Sequence, residues 1–280
     1  KNYHHRLFFL RSRFLRGFGP YAEGFVRIPY DDLAALRLAL EDPNVAAFLA
    51  EPIQGEAGVL VPDTNYWARV RAACSAAGVL MLADEVQTGI GRTGAWLASC
   101  GACTCTEACE RQANYVRPDV LILGKALSGG VYPVSAVLAD DEVMLTIHPG
   151  QHGSTFGGNP LASRVAQAAL DVVSEEGLLA NARERGMQFR AGVERLMEHF
   201  PILNLVRGKG LLNAVQLNDA ETGTAAWDLC LLMAEEGLLA KPTHGNIIRF
   251  APPLIITKAQ MEEALNRIER ALVRFERARA

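Results

Sequence analysis

Residues 79–85 read Val-Leu-Met-Leu-Ala-Asp-Glu and residues 120–125 read Val-Leu-Ile-Leu-Gly-Lys, and these two stretches decide the fold. Each contains a continuous apolar run of strand length that ends in charged residues. Such runs are typical of strands buried in a parallel sheet, and residues 46–50 and 134–138 have the same pattern. Segments with helical spacing of apolar residues lie at 33–40 and 67–77. The sequence therefore predicts an α/β fold in which a mainly parallel sheet is sandwiched by helices.

The C-terminal part of the chain has a different pattern. Long helices are predicted at 161–173 and around Val193 to Phe200. Beyond them the periodicity predicts strands near 212–217 and 247–250 and helices near 225–236 and 258–276. We therefore expect a large domain at 1–180 and a smaller α+β domain at 181–280.

The composition disfavours several classes of function. The 28 Lys and Arg residues are balanced by 31 Asp and Glu residues, which gives a formal charge of −3. A surface so close to neutral does not predict nucleic-acid binding, and no apolar stretch of the sequence is long enough to span a membrane. Residues 89–94 formally match Gly-x-Gly-x-x-Gly, but they neither leave a strand directly nor open a helix, so we interpret them as a flexible connection. Phosphate-loop, zinc-protease and serine-hydrolase motifs are absent from the sequence.

Charged residues directly after the strands are the candidates for chemistry, because ligands of α/β sheets bind beyond the carboxyl ends of the strands. Asp84 ends one strand, Lys125 follows a second, and Glu51 to Glu56 follow a third. An amine in a low-dielectric environment has its charged form disfavoured, which prepares Lys125 to form an imine with an aldehyde. Pyridoxal phosphate is such an aldehyde, and Asp84 is placed to keep its ring nitrogen protonated.

Five segments carry a closer resemblance: residues 42–58, 83–89, 123–130, 152–160 and 241–250. Together they resemble the class III pyridoxal-phosphate-dependent aminotransferases of fold type I, and the resemblance covers nearly everything from Gly17 onward. Within this class, the run Lys-Pro-Thr-His-Gly at 241–245 and the stretch 132–144 favour the ornithine type over the acetylornithine and 4-aminobutyrate types. The resemblance implies transfer of the δ-amino group of ornithine to 2-oxoglutarate, giving glutamate 5-semialdehyde and glutamate.

The resemblance also implies roles for the residues that bind the cofactor. Lys125 is expected to hold pyridoxal 5′-phosphate as a Schiff base and then to shuttle the proton of the reaction. Asp84 is expected to pair with the ring nitrogen, Gln87 to donate to the phenolic oxygen, and Val86 to pack on one face of the ring. Tyr3 resembles the aromatic residue that stacks on the other side.

Substrate and subunit contacts follow from the same resemblance. Arg249 resembles the arginine that binds the α-carboxylate of 2-oxoglutarate, and Glu56 the acid that neutralises this arginine while ornithine is bound. Arg6 resembles a second carboxylate-binding arginine. Ser154 and Thr155 resemble phosphate ligands that reach across from a second subunit, so we expect a homodimer with shared active sites.

Three departures from the family pattern accompany these expectations. The family continues upstream of this chain, so we expect an N-terminally incomplete member, and an inactive fragment is an alternative to an active enzyme. Residues 7–16 do not match the pattern, which suggests a divergent insert or a misread frame. An insert near 98–114 contains Cys100, Cys103, Cys105 and Cys109, which we interpret as a solvated loop rather than a metal site.

The remaining cysteines and the N-terminus bear on the compartment. Cys74 and Cys230 lie in apolar-periodic segments and are predicted to be core thiols of a reducing compartment. Residues 1–22 are rich in arginine without being a convincing targeting segment. We expect the cytoplasm or the mitochondrial matrix.

Overall fold

The first half of the chain forms a four-stranded sheet. In the computed structural model, which describes residues 19–20, 22–99 and 116–279, its strands are β1 (Ala47–Ala50), β2 (Leu80–Asp84), β3 (Val120–Leu123) and β4 (Ala136–Ala139). The strand order is β1-β2-β3-β4, with β1, β2 and β3 parallel and β4 antiparallel to β3. The connection from β3 to β4 contains a short 3-10 turn, Lys125–Ser128, and lacks the crossover helix that a parallel neighbour needs. The predicted mainly parallel sheet is confirmed.

Two helices precede the strands β1 and β2 and bury one face of this sheet. They are α1 (Leu33–Ala39) and α2 (Tyr66–Ala77). The Asp32 side chain accepts a hydrogen bond from the Ala35 N–H and so caps α1, while Gly78 ends α2 in the left-handed conformation. Val70 of α2 packs against Phe48 of β1 in a buried cluster. The continuous apolar runs predict that helices cover both faces of the sheet. Among the described residues, however, the opposite face of β1 and β2 is only half-buried.

The second half of the chain forms an antiparallel sheet and most of the helices. The helices are α3 (Asp141–Met144), α4 (Pro160–Glu175), α5 (Leu178–Met197), α6 (Ala225–Glu235) and α7 (Lys258–Arg277). The strands are β5 (Leu203–Lys209), β6 (Leu212–Leu217), β7 (Lys241–His244) and β8 (Ile247–Phe250), in the order β5-β6-β8-β7. The edge strands β5 and β7 were not predicted, since β5 buries little and β7 contains Pro242.

The largest hydrophobic core lies between this second sheet and α5, α6 and α7. Phe189 of α5, Met233 of α6 and Leu272 of α7 are almost fully buried there. α5 packs on both β5 and α7, so the residues from Leu178 onward contribute mainly to this core. The division into domains at 1–180 and 181–280 stays a prediction.

The two sheets meet through loops that follow β1 and β2. Ile53 and Val59 of the first loop form a small buried cluster with Leu212 and Ile247 of the second sheet. The Arg207 Nε donates to the carbonyl oxygens of Gly58 at 2.9 Å and Val59 at 3.2 Å. These contacts hold the polar residues of the first sheet's loops against the second sheet.

The segment 89–94 is part of this junction. It consists of consecutive turns with no helix after Gly94, so a dinucleotide-binding role has no structural basis. The flexible connection expected from the sequence is wrong, because most of these residues are buried and the Arg92 carbonyl accepts from the Leu211 N–H at 3.0 Å. Burial lowers the pKa of Arg92 to about 10.

Two further expectations concern single features. Cys74 and Cys230 are buried free thiols as predicted, and burial raises the pKa of Cys230 to about 12. The four cysteines of the predicted insert lie outside the described residues. Within the part of the chain that the structure describes, no helix has the length and apolar character needed to cross a bilayer.

Candidate active site

Lys125 lies immediately beyond β3, at the start of the 3-10 turn. Its backbone is in the left-handed region with φ of 42°, a conformation that a lysine rarely adopts. Backbone strain of this kind concentrates at functional sites. The residue is exposed, so the low-dielectric surroundings expected from the sequence are not present among the described residues. Its side chain instead lines two adjoining cavities.

Asp84 ends β2, the strand next to β3, where it is in register with Ile122. Its Oδ1 accepts a hydrogen bond from the Val86 N–H at 3.1 Å. The Val86 side chain faces Gly124, since a Cβ atom built on that glycine would lie 3.3 Å from Val86 Cγ1. The parallel register therefore brings Asp84, Val86 and the backbone before Lys125 to one edge of the sheet.

Glu51 is a third charged group at this edge, directly after β1. It is only 9% exposed, and its Oε2 accepts from the Gly55 N–H at 3.1 Å. Burial raises the pKa of the Glu51 carboxyl, the charge of Asp84 adds to this effect, and the charge of Lys125 opposes it. The sequence analysis assigned no role to Glu51. Its position directly after a buried strand could have marked it as a site residue.

Aromatic residues hold the backbone beside Glu51. The Tyr30 hydroxyl donates to the Pro52 carbonyl oxygen at 2.8 Å, and the Trp67 Nε1 donates to the same oxygen at 3.1 Å. Both donors come from the side of the sheet covered by α1 and α2. They fix the point at which the chain leaves β1 and thereby orient Glu51.

Arg249 connects the second sheet to this edge. It lies within β8, its side chain is 15% exposed, and it donates both to Glu56 and, at 2.9 Å, to the Gln87 Oε1. Lys241 of the neighbouring strand β7 also reaches Glu56, with its Nζ 3.0 Å from Oε2. Desolvation raises the pKa of Glu56, but the hydrogen bonds from Arg249 and Lys241 outweigh it and lower the pKa overall. Sequence reasoning missed Lys241, because Glu56 and Lys241 are 185 positions apart.

Two cavities join these residues. One of about 920 Å³ is lined by Val86, Gln87, Lys125 and Arg249. The other, of about 830 Å³, is lined by Lys125 and by residues of the loop that contains Ser154. Both cavities fall within the usual size range of small-molecule sites.

Four further residues were predicted for the site: Ser154, Thr155, Tyr3 and Arg6. Ser154 and Thr155 are exposed in the loop before α4, and the Ser154 Oγ accepts from the Gly157 N–H at 2.9 Å. Their predicted contact with a second subunit stays a prediction. Tyr3 and Arg6 lie outside the described residues, so their predicted roles are not addressed by the structure.

Comparisons with known proteins identify the family of the chain. Residues 11–272 match the family described as aminotransferase class-III, so the stretch 7–16 lies partly within the match. The chain is 52% identical over 259 residues to the mitochondrial ornithine aminotransferase of Rattus norvegicus, covering 92% of this chain and 56% of that protein. It thus spans about half the length of the curated relatives it matches.

Solved structures give the same assignment. An acetylornithine aminotransferase from Elizabethkingia anophelis superposes with a TM-score of 0.83 at 53% identity, covering 90% of this chain and 63% of that one. The ornithine aminotransferase of Toxoplasma gondii, described with partial occupancy of PLP at its active site, superposes with a TM-score of 0.86 at 45% identity. These alignments cover 94% of this chain and 59% of the Toxoplasma chain. The chain therefore belongs to the class III aminotransferases, which use pyridoxal phosphate.

Proposed function

We propose that this chain carries the cofactor and substrate sites of an ornithine δ-aminotransferase. The reaction transfers the δ-amino group of L-ornithine to 2-oxoglutarate and yields glutamate 5-semialdehyde and glutamate. The observation that carries the proposal is the Arg249–Glu56 pair, because Arg249 lines the same cavity as Lys125.

The residues at the sheet edge fit pyridoxal 5′-phosphate. The cofactor supplies an aldehyde and an electron-withdrawing ring when it is bound. Lys125 offers the amine for the aldehyde, and Asp84 offers a carboxylate one strand away for the ring nitrogen. Val86 supplies an apolar surface and Gln87 a polar side chain on the same cavity. Gly158 lies beside Ser154 in a glycine-rich loop, which suits binding of the cofactor phosphate of a second copy by backbone N–H groups.

The paired Arg249 suits a site that must accept two different substrates. The reacting carbon of ornithine carries no carboxylate, whereas the reacting carbon of 2-oxoglutarate does. A bare arginine would be an unpaired charge in the first case and a ligand in the second. Glu56 neutralises Arg249 for ornithine and must release it for the keto acid.

An exposed apolar surface supports the proposed homodimer. Val131, Leu145 and Phe156 are 79%, 68% and 78% exposed, and Phe156 lies in the loop of Ser154. Large apolar side chains that are this exposed are candidates for an interaction surface. We infer that a second copy covers them and that Ser154 and Thr155 contact its cofactor phosphate. The compartment is inferred to be the cytoplasm or the mitochondrial matrix, since some of the relatives are mitochondrial.

There are two alternatives to the proposed function. An acetylornithine or 4-aminobutyrate substrate is the first, and the Elizabethkingia structure gives the acetylornithine type a specific basis. A catalytically inactive chain is the second.

The experiment that tests the proposal is the absorption spectrum of the purified chain with added pyridoxal phosphate. We expect a visible band of bound cofactor that Lys125→Ala abolishes and that the matched variant Lys258→Ala keeps, because Lys258 is exposed on α7. Ornithine should change the band, whereas N-acetylornithine and 4-aminobutyrate should not. A folded chain without any band would favour the inactive alternative.

A further inference from the structure

We propose that Lys241 is a specificity-determining residue that holds the Glu56 carboxylate when Arg249 turns to the carboxylate of a keto acid. The inference rests on the proposed function, because it concerns the half of the reaction that uses 2-oxoglutarate. It assigns a role to the second cation of the Arg249–Glu56 pair.

The strand register brings the two cations together. Lys241 of β7 is the cross-strand partner of Arg249 of β8, so both side chains leave the same part of the second sheet. Arg249 donates to Glu56 Oε1, while the Lys241 Nζ lies 3.0 Å from Glu56 Oε2. Since the two cations use different oxygens, the Lys241 contact does not require the Arg249 contact.

Exposure separates the roles of the two cations. The Arg249 side chain is 15% exposed and lines the cavity with Lys125, whereas the Lys241 side chain is 59% exposed. Arg249 is therefore the cation that a substrate can reach, and Lys241 lies on the solvent side of the same carboxylate. The Glu56 side chain is 57% exposed, so it can keep its contact with Lys241 when its contact with Arg249 opens.

The chemistry of the release step follows from this geometry. When a keto-acid carboxylate takes Arg249, Glu56 becomes a carboxylate without its arginine beside a second incoming negative charge. Two neighbouring negative charges repel each other, so a Glu56 carboxylate without a cation beside it would oppose keto-acid binding. Lys241 supplies a positive charge that stays with Glu56 and reduces this repulsion. Ornithine leaves the Arg249–Glu56 pair intact, so its binding does not create this repulsion.

The test uses the cofactor-loaded protein and the variant Lys241→Met, which removes the charge and keeps the length of the side chain. The KM for 2-oxoglutarate and the dissociation constant of glutarate, measured by calorimetry, should both rise about three- to fivefold, the scale of one exposed ion pair. The KM for ornithine and kcat should stay unchanged. Lys241→Arg, which keeps the charge, should restore tight binding.

The control and the contrary outcomes separate this inference from the proposed function. Lys258→Met makes the same charge change on the exposed face of α7 and should leave both substrates unaffected. Tight glutarate binding by Lys241→Met, with the wild-type KM for 2-oxoglutarate, would overturn the role of Lys241 alone. A wild-type protein that binds neither 2-oxoglutarate nor glutarate would overturn the proposed function together with it.

Discussion

Gly186→Ala should destabilise the protein although it replaces glycine by the best helix former. Gly186 is buried in the middle of α5, where the helix passes over the turn between β5 and β6. An alanine Cβ at this position would lie 1.9 Å from the carbonyl oxygen of Gly210. The two atoms must therefore separate by roughly 1.5 Å to reach ordinary van der Waals contact.

The surroundings of Gly210 resist that movement. A Cβ atom built on Gly210 would itself lie 2.4 Å from the Thr93 carbonyl carbon, so the turn is held between α5 and the first sheet's loop. The Gly210 carbonyl oxygen also accepts hydrogen bonds from Asn213 Nδ2 at 3.0 Å and from Arg190 at 3.3 Å. A displaced turn would weaken both hydrogen bonds.

The expected loss of stability combines two destabilising contributions with one stabilising contribution. Overpacking costs about 1–3 kcal/mol, and each of the two disturbed hydrogen bonds costs about 1 kcal/mol. Higher helix propensity returns about 1 kcal/mol. We therefore expect a net loss of about 2–4 kcal/mol in the free energy of unfolding, seen as a lower urea midpoint by circular dichroism.

Gly192→Ala is the matched control in the same helix. Its Cβ would lie 2.4 Å from the Leu265 Cδ1, so it meets a side chain rather than the backbone of a turn. This variant gains the same helix propensity and should lose less stability, because a side chain can shift more easily than the held turn. A Gly186→Ala protein with an unchanged or higher urea midpoint would refute the close approach of α5 and the turn.

Three further predictions concern single residues of the fold. Asp119→Ala removes the acceptor 2.6 Å from the buried Met81 N–H and should lower the free energy of unfolding by about 2 kcal/mol, measured by urea titration. Thr257→Ala breaks the capping box of α7 and should cost about 1 kcal/mol, whereas Thr224→Ala, at a helix start without a side-chain cap, should cost less in the same titration. The raised pKa of Cys230, about 12, keeps its thiol protonated until far above neutral pH, so iodoacetamide at pH 8 should label it only after unfolding, as read by peptide mass.

The central part of the fold could be predicted because its signal is local. The apolar runs that become β1, β2 and β3 are continuous, and the charged residues at their ends stand directly after them in sequence. The sequence alone therefore suffices to place Asp84 and Lys125 at one edge of a sheet. It does not suffice for the edge strands β5 and β7, because each lacks a neighbour on one side and so buries too little to leave a pattern.

The charge network of the site shows where local signals fail. Lys241 reaches Glu56 only because β7 pairs with β8 and the loop after β1 packs on the second sheet. Neither event is encoded in the spacing of nearby residues. The pairing of Arg249 with Glu56 was expected from a family resemblance, whereas the second cation on the same carboxylate needed the tertiary structure.

The backbone of Lys125 has a consequence for how this chain evolved. Glycine adopts a φ of 42° without steric strain, whereas a lysine held there costs the fold about 1 kcal/mol. Glycine in turn costs about 0.5–1 kcal/mol, because it gives the unfolded chain more conformational freedom. Folding stability alone therefore does not explain a lysine at this position. The strained lysine is explained by its side-chain amine, and Lys125→Gly should leave the urea midpoint nearly unchanged while losing the proposed cofactor attachment.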